Sequence, residues 1–193
     1  MKDNRSHTQL AMSRRKFLAT SLGVITVAAA PQFAGTPAYA RNAGRYKNLS
    51  MYSAQSGESI DLKYWIDGDY IDEAITEISW FMRDWRVNKS MSMATDNLDT
   101  LAAIQLVMNV ERPMQLLSGY RTRATNDWLR RRGSGTARNS LHIEGMAADF
   151  RVHGRPVSKV ASVAEECQAG GVGKYSRAGF VHVDCGDIRS WGR

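Results

Sequence analysis

Apolar residues follow a helical period in the first half of the chain. Downstream of Asp69 they recur at every third or fourth position, at Ile71, Ile75, Ile78, Met82 and Trp85. This spacing predicts an amphipathic helix with Asp69 as its cap. A second stripe begins near Thr95 and predicts another helix, with Leu98, Leu101, Ile104, Gln105 and Met108 on one side. Both stripes are typical of helices that face a core, so we assign them no chemistry.

Strand patterns lie on both sides of these helices. Residues 49–54 and 59–65 are separated by the turn sequence QSGE, which predicts a hairpin at the start of the domain. Beyond Pro113 the pattern predicts a strand at 114–119, a short helix ended by Gly133, a strand at 145–152, a helix at 158–171 and a strand at 180–185. This order predicts an α+β fold, with a small, mainly antiparallel sheet on which the helices pack.

The first 40 residues have the features of an export signal. Arg14 and Arg15 precede an apolar run at 19–30, and the small residues AYA end at Ala40. The run is shorter than the roughly 20 residues that a membrane-spanning helix needs. We therefore expect a twin-arginine signal that directs the protein through the twin-arginine translocase to the periplasm and is removed near Ala40. Residues 41–48 then form a flexible leader, and residues 49–193 form a single domain.

The net charge of the chain is concentrated in the predicted signal. The formal charge is +7 for the whole chain, but residues 1–40 hold five of the basic and one of the acidic residues, so the mature part carries +3, from 21 basic and 18 acidic residues. So small an excess argues against nucleic acid as a partner and suits an anionic polymer such as the cell wall. We expect a monomer. The two cysteines, Cys167 and Cys185, leave open whether a disulfide forms in an oxidising compartment.

Candidate chemistry centres on His142 and Asp149. Seven extended residues would separate them by about 23 Å, whereas the bonds from a metal to its ligands are each near 2 Å. If both residues bind one ion, the chain must therefore turn between them, and Gly145 lies where the turn is needed. His153 and His182 are candidates for a third ligand. His153 lies about 13 Å along a strand from Asp149, which makes His182, in an apolar strand, the better candidate. Spacing alone leaves open a turn histidine beside a structural aspartate.

Three ordered motifs resemble those of a known superfamily. SGYRT at 118–122, SLHIEGMAAD at 140–149 and GFVHVD at 179–184 are similar to motifs of the zinc D-Ala-D-Ala carboxypeptidases, a superfamily that includes VanX, VanY and the hedgehog signalling domain. The YcbK-like (MepK-type) murein endopeptidase branch is the closer resemblance, through FMRDWRVNK at 81–89 and GGVGKYSRAGFVHVD at 170–184. The resemblance covers nearly all of the mature chain. It implies a hedgehog/D-Ala-D-Ala peptidase-like fold and one catalytic Zn²⁺ held by His142, Asp149 and His182.

The same resemblance implies a role for Arg121, whose planar guanidinium can hold a peptide stem or stabilise a developing oxyanion. Ser118 and Ser140 bind substrate or hold the loops.

The resemblance does not identify the catalytic base. The two positions at which members of the superfamily carry a basic group for catalysis, a glutamate or a histidine, are Gly179 and Phe180 in this chain. Asp184, two residues after His182, is our first candidate for the assisting carboxylate, although it could instead orient His182 or pair with a basic side chain. Glu144 in the turn is the second candidate, and a base on another segment stays open.

These features predict an exported zinc metallopeptidase that hydrolyses peptide cross-links of peptidoglycan. The substrate implied by the resemblance is a stem peptide with D-centres, joined either directly between diaminopimelate residues or from D-Ala to diaminopimelate. The alternative is a zinc-stabilised cell-wall-binding module that has lost turnover.

Overall fold

A computed structural model describes residues 45–192. Its elements, in chain order, are β1 Tyr46–Ser53, β2 Ser59–Ile66, β3 Asp69–Tyr70, α1 Asp72–Phe81, α2 Thr95–Val107, β4 Met114–Ser118, α3 Arg123–Arg131, a 3-10 helix Leu141–Glu144, β5 Ala147–Arg151, α4 Val157–Glu166, β6 Gly171–Tyr175, β7 Phe180–Asp184 and β8 Arg189–Gly192. The predicted α+β class is confirmed. Among the described residues, no helix is long and apolar enough to cross a membrane.

The strands form one eight-stranded sheet in the order β3-β2-β1-β4-β5-β7-β6-β8. β1 pairs parallel to β4, and β6 pairs parallel to β8. The sheet is therefore mixed, and the predicted mainly antiparallel sheet is wrong. Between β1 and β4 the chain passes through α1 and α2, and such a long connection allows parallel pairing, which a tight hairpin cannot. Alternating hydrophobicity reveals a strand but not the direction of its partner.

The two faces of the sheet have different roles. Ala148 and Phe150 on β5, with Val181 and Val183 on β7, are buried in the core that α2 and α4 cover. Complete burial of one valine or phenylalanine side chain stabilises the fold by about 1.5–3 kcal/mol. Because side chains alternate along a strand, the intervening residues of β5 and β7 project from the opposite face. That face carries the polar groups described below.

The first predicted helix has different limits in the structure. α1 begins at Asp72, its N-cap is Ile71 without a side-chain hydrogen bond, and Asp69 pairs with Ile66 in β3. The predicted aspartate cap is therefore wrong. The helix ends before a loop that the Asp84–Lys89 bridge closes, so Trp85 is 40% exposed and does not join the core.

The chain enters the sheet earlier than the sequence indicated. β1 begins at Tyr46, and the Lys47 ammonium is buried 2.6 Å from the Asp99 carboxylate. Residues 46–48, predicted as the end of a flexible leader, are thus part of the sheet, because their alternating pattern continues that of the predicted strand. The predicted export signal at 1–40 lies outside the described residues. Cys167 and Cys185 do not pair with each other.

Candidate metal centre

Three segments bring His142, Asp149 and His182 together. His142 lies on the 3-10 helix, and Asp149 on β5 pairs directly with His182 on β7. Gly145 turns the chain between the first two, with a left-handed φ of 68°. A Cβ there would lie 2.6 Å from the Ser92 carbonyl oxygen, so both the conformation and the space favour glycine. One ligating atom from each of the three side chains lies within 4.8 Å of the other two.

The hydrogen bonds of each imidazole indicate which of its nitrogens is available to a metal. His142 Nδ1 lies 2.7 Å from the carbonyl oxygen of Gly119, which can only accept, so Nδ1 donates. His182 Nε2 lies 3.0 Å from Asp184 Oδ2, and a carboxylate likewise accepts. His182 Nδ1 also lies 2.8 Å from a carboxylate, that of Asp149, so without a metal both nitrogens of His182 can carry a proton. When a metal binds, the lone pairs available to it are on His142 Nε2 and His182 Nδ1. These two atoms are 3.2 Å apart and face each other.

The carboxylate of Asp149 faces the same point. Its Oδ1 lies 2.8 Å from His182 Nδ1 and 3.3 Å from His142 Nε2. Three electron-pair donors thus converge once His182 Nδ1 has lost its proton, and the set of two imidazoles and one carboxylate suits Zn²⁺ with one open position. Burial raises the pKa of Asp149, but the two histidines outweigh it and lower the pKa overall. Burial lowers the pKa of His142, which favours the neutral, ligating form.

His182 is the more basic of the two rings. Burial lowers its pKa, but hydrogen bonds to Asp149 and Asp184 outweigh burial, and the pKa is raised overall. Metal binding at His182 must therefore compete with a proton as the pH falls.

Asp184 lies on the side of the His182 ring away from Asp149. Its two oxygens accept hydrogen bonds from the backbone N–H groups of Gly171 and Gly186 at 3.1 and 3.0 Å, and from both terminal nitrogens of Arg189 at 3.0 and 2.7 Å. Its side chain is 1% exposed. Burial raises the pKa of Asp184, but His182 and Arg189 outweigh burial and lower it. The carboxylate is held in place as an anion.

Arg121 joins two of the predicted residues. Its Nη2 donates to Asp149 Oδ2 and its Nε donates to Ser118 Oγ, each at 3.0 Å. Its backbone N–H donates to the carbonyl oxygen of His142 at 3.0 Å. Burial lowers the pKa of Arg121. The guanidinium keeps three further N–H bonds, which can serve a ligand in the adjoining cleft.

A cleft of about 550 Å³ opens over these groups. Ser118, Arg121 and Ser140 line it together with the three convergent side chains, and Tyr175, Phe180 and Trp191 form an aromatic wall.

Two candidates from the sequence lie outside this cleft. Glu144 is exposed on the 3-10 helix and does not line the cleft, because at about three residues per turn it points away from His142. His153 lies beyond the end of β5 in a separate hollow.

Sequence reasoning missed the contribution of the last strand. β8 brings Arg189 to Asp184 and Trp191 to within 5.3 Å of the His182 ring, between centroids. Each of these two side chains passes over a glycine of β6 to reach its partner. A Cβ on Gly171 would lie 2.5 Å from Arg189 Nη1, and one on Gly173 would lie 2.7 Å from the Trp191 ring. The alternate glycines of GVG were the available signal, since they indicate a close approach on one face of a strand.

The profile of the family Peptidase_M15_2, described as peptidoglycan L,D-endopeptidase MepK, matches residues 41–191. The chain belongs to this family. The resemblance to the MepK branch is thereby confirmed, and Peptidase_M15_2 proteins are metallopeptidases, in agreement with the predicted class of enzyme.

Two relatives show the extent of the match to Peptidase_M15_2. The chain is 38% identical over 180 residues to peptidoglycan L,D-endopeptidase MepK of Escherichia coli K12, which covers 93% of this chain and 97% of that protein. It is 33% identical over 144 residues to the probable peptidoglycan L,D-endopeptidase MepK of Haemophilus influenzae, which covers 74% of this chain and 77% of that protein. No solved structure matches the chain.

Proposed function

We propose that the protein is a zinc-dependent peptidoglycan endopeptidase that holds one Zn²⁺ through His142, Asp149 and His182. The observation that supports this most directly is the convergence of two imidazole lone pairs and one carboxylate oxygen within 4.8 Å, at the base of an open cleft. A zinc ion there would polarise the scissile carbonyl and make water a stronger nucleophile at neutral pH. The architecture that we infer is hedgehog/D-Ala-D-Ala peptidase-like.

The side chains around the ligands have separate roles in this proposal. Arg121 orients Asp149 and turns its remaining N–H bonds toward the substrate peptide, where a planar fork can hold a carboxylate or carbonyl oxygen. Ser118 fixes the guanidinium, and Ser140 contacts substrate at the cleft wall. Asp184 orients His182 rather than acting as a base, because Arg189 and two backbone N–H groups already occupy its oxygens. A ligating histidine is commonly held by a carboxylate in this way.

The substrate that we propose is the direct cross-link between two diaminopimelate residues. Relatives that share 33–38% identity are named L,D-endopeptidases. A bond from the L-centre of one diaminopimelate to the D-centre of the next is an L,D bond, whereas a D-Ala to diaminopimelate cross-link joins two D-centres. The first of the two predicted cross-links therefore fits the relatives.

The cellular setting follows from the N-terminal sequence. We propose that the twin-arginine translocase exports the protein to the periplasm, that the signal is removed near Ala40, and that the remaining chain works as a monomeric single domain.

The lack of a free base among the candidate residues that the structure describes favours the alternative of a zinc-stabilised binding module without turnover. Residues 179 and 180 carry neither family base, Glu144 lies outside the cleft, and Asp184 is fully engaged by hydrogen bonds. A site without a base could keep its metal and lose hydrolysis.

Digestion of purified sacculi separates the two functions. We expect mature protein to release muropeptides cut at the diaminopimelate cross-link, and to lose this activity when a chelator removes the metal. His142→Ala should abolish release, whereas His153→Ala, the matched control outside the site, should retain it. Bound zinc without any release would support the binding module. Release that persists in His142→Ala and in chelator would exclude both functions.

A further inference from the structure

Tyr175 belongs to the aromatic wall of the cleft that also holds the proposed metal ligands. On β6 and β7, Tyr175 pairs with Phe180, and Gly173 pairs with His182. Gly173 also pairs with Trp191 on β8. Alternation along each strand places all of these side chains on the face that carries Asp149 and His182. Tyr175 lies two residues along β6 from Gly173, the residue that pairs with His182. This places Tyr175 about 6.7 Å along the strand from the level of the proposed ligands.

The phenol leans toward the row of the ligands. Its ring stacks on Phe180, with centroids 4.5 Å apart and planes at 11°. Its oxygen lies 3.0 Å from Trp191 Nε1, and the Trp191 ring in turn packs against His182. Gly173 has no side chain, and the Trp191 ring fills the space above it and links the tyrosine hydroxyl to the row of the proposed ligands. One stacking contact with Phe180 and one hydrogen bond from Trp191 hold the phenol in place.

The hydrogen bond with Trp191 leaves the hydrogen of the Tyr175 hydroxyl unused. An indole N–H can only donate, so the tyrosine oxygen accepts and its own hydrogen stays available to a ligand. Tyr175 is 37% exposed and lines the cleft.

Tyr175 is also one of the titratable side chains of the cleft that the proposed metal site leaves unused. His142, Asp149 and His182 form the metal triad, and Asp184 is saturated with hydrogen bonds. The remaining lining residues of this kind are Tyr175 and three arginines, Arg86, Arg121 and Arg189. Arg121 approaches the centre from the β4 side of the sheet and Tyr175 from the β6 side. A peptide group between them would meet donors from two directions.

We propose that the Tyr175 hydroxyl donates a hydrogen bond to the oxygen of the scissile carbonyl as negative charge develops on it. This role rests on the proposed endopeptidase function. No proton is transferred in it, and the donor is already oriented before substrate arrives. Removing one such oriented donor lowers kcat by about 10²–10³-fold in other hydrolases.

The test compares Tyr175→Phe with wild type in the zinc-loaded protein, on a soluble muropeptide dimer. We expect kcat to fall by about 10²–10³-fold with KM nearly unchanged. Affinity for a phosphinate analogue of the scissile bond, which mimics the tetrahedral oxygen, should fall by a similar factor. Affinity for the cleaved product peptide should not change. Zinc content and melting temperature should match wild type, because the aromatic ring remains.

Two further variants make the result specific. Trp191→Phe keeps an aromatic ring but removes the Nε1 donor, so kcat should fall by a smaller factor as the phenol loses its orientation. Tyr46→Phe, an exposed tyrosine on β1, should behave as wild type.

A kcat for Tyr175→Phe within threefold of wild type would overturn this role alone. An equal loss of affinity for phosphinate and product would also overturn it, because that result indicates ground-state binding. A zinc-loaded wild type that cleaves no cross-link would overturn both this role and the proposed function.

Discussion

At the residue scale, a chain of hydrogen bonds defines the metal centre that we propose. Arg189 holds Asp184, and Asp184 holds His182 at Nε2, which leaves Nδ1 for the proposed ion once Nδ1 has lost its own proton. Gly119 plays the same part for His142 through its carbonyl oxygen. Each histidine is therefore held in orientation by a group on the side of its ring that faces away from the proposed ion.

Replacing the carboxylate of Asp184 tests this chain of contacts. Asp184→Asn keeps the size of the side chain but removes the charge that orients His182 and pairs with Arg189. We expect zinc affinity to fall by about 10–100-fold, measured by competition with a chromophoric chelator. Asp187→Asn, an exposed neighbour, is the matched control and should bind zinc as wild type does. Unchanged affinity in Asp184→Asn would mean that the carboxylate does not position the histidine.

The thiol of Cys185 gives a prediction on pH. Its Sγ donates to the Met146 carbonyl oxygen at 3.5 Å, and burial raises the pKa of the thiol to about 11. The thiolate is the reactive form, so in folded protein at pH 8 only about a thousandth of this group is reactive. Because the folded pKa lies above the unfolded value of about 8.5, this thiol favours folding below pH 8.5, and the contribution is lost as the pH rises through 11.

Alkylation with iodoacetamide, quantified by peptide mass spectrometry, measures this shift. The rate at Cys185 should keep rising until about pH 11 in folded protein, and should level off near pH 8.5 after unfolding in guanidinium. A plateau near pH 8.5 in the folded protein would show that burial does not shift the thiol.

At the scale of elements, β8 completes a site that β5 and β7 begin. β6 lies between β7 and β8, and its glycines at 171 and 173 allow Arg189 and Trp191 to reach across it. The strand is short, but it supplies the contacts that orient Asp184 and cover the His182 ring. The position of Trp191 in the aromatic wall therefore depends on the absence of a side chain at Gly173.

Adding a methyl group to β6 should disturb this arrangement. The Cβ of Gly173→Ala would lie 2.7–2.9 Å from the Trp191 ring, so the indole must shift. Overpacking of this kind costs about 1–3 kcal/mol of folding free energy. We expect a lower melting temperature and a changed tryptophan fluorescence spectrum. Ser190→Ala, on the same strand as Trp191, is the control. Identical melting curves for Gly173→Ala and wild type would show that the indole does not pack on this glycine.

At the scale of the whole molecule, the proposed ligands come from three separate segments. The 3-10 helix brings His142 from the loop before β5, whereas β5 and β7 are central strands of the sheet. An ion that binds only the assembled site must stabilise the folded state over the unfolded one.

Zinc removal should therefore lower the melting temperature. At a free zinc concentration of about 1,000 times Kd, the added stability is about 4 kcal/mol. Calorimetry of zinc-loaded and chelator-treated protein measures the difference. His142→Ala should remove most of it, whereas His153→Ala should leave it intact. Equal melting temperatures with and without zinc would argue against a shared site.

The sequence by itself determined the α+β class, the residues that could converge on a metal, and the family. Apolar periodicity is a local property, so it located α2 and β7 closely, at 95–107 and 180–184. The paired motifs around His142 and His182 were distinctive because a metal site tolerates few residue types. Spacing also favoured His182 over His153, in agreement with the positions that the two histidines occupy.

Only the tertiary structure decided which groups surround those ligands. The partners of a strand depend on pairing across the sheet, which local patterns do not encode, so the parallel pairs β1–β4 and β6–β8 could not be read from the chain. The same limit hid the contacts of Arg189, Trp191 and Tyr175. Asp184 shows the difference most clearly: its position two residues after His182 suggested proximity, but Arg189 and the N–H groups of Gly171 and Gly186, brought in by folding, determine what its carboxylate can do.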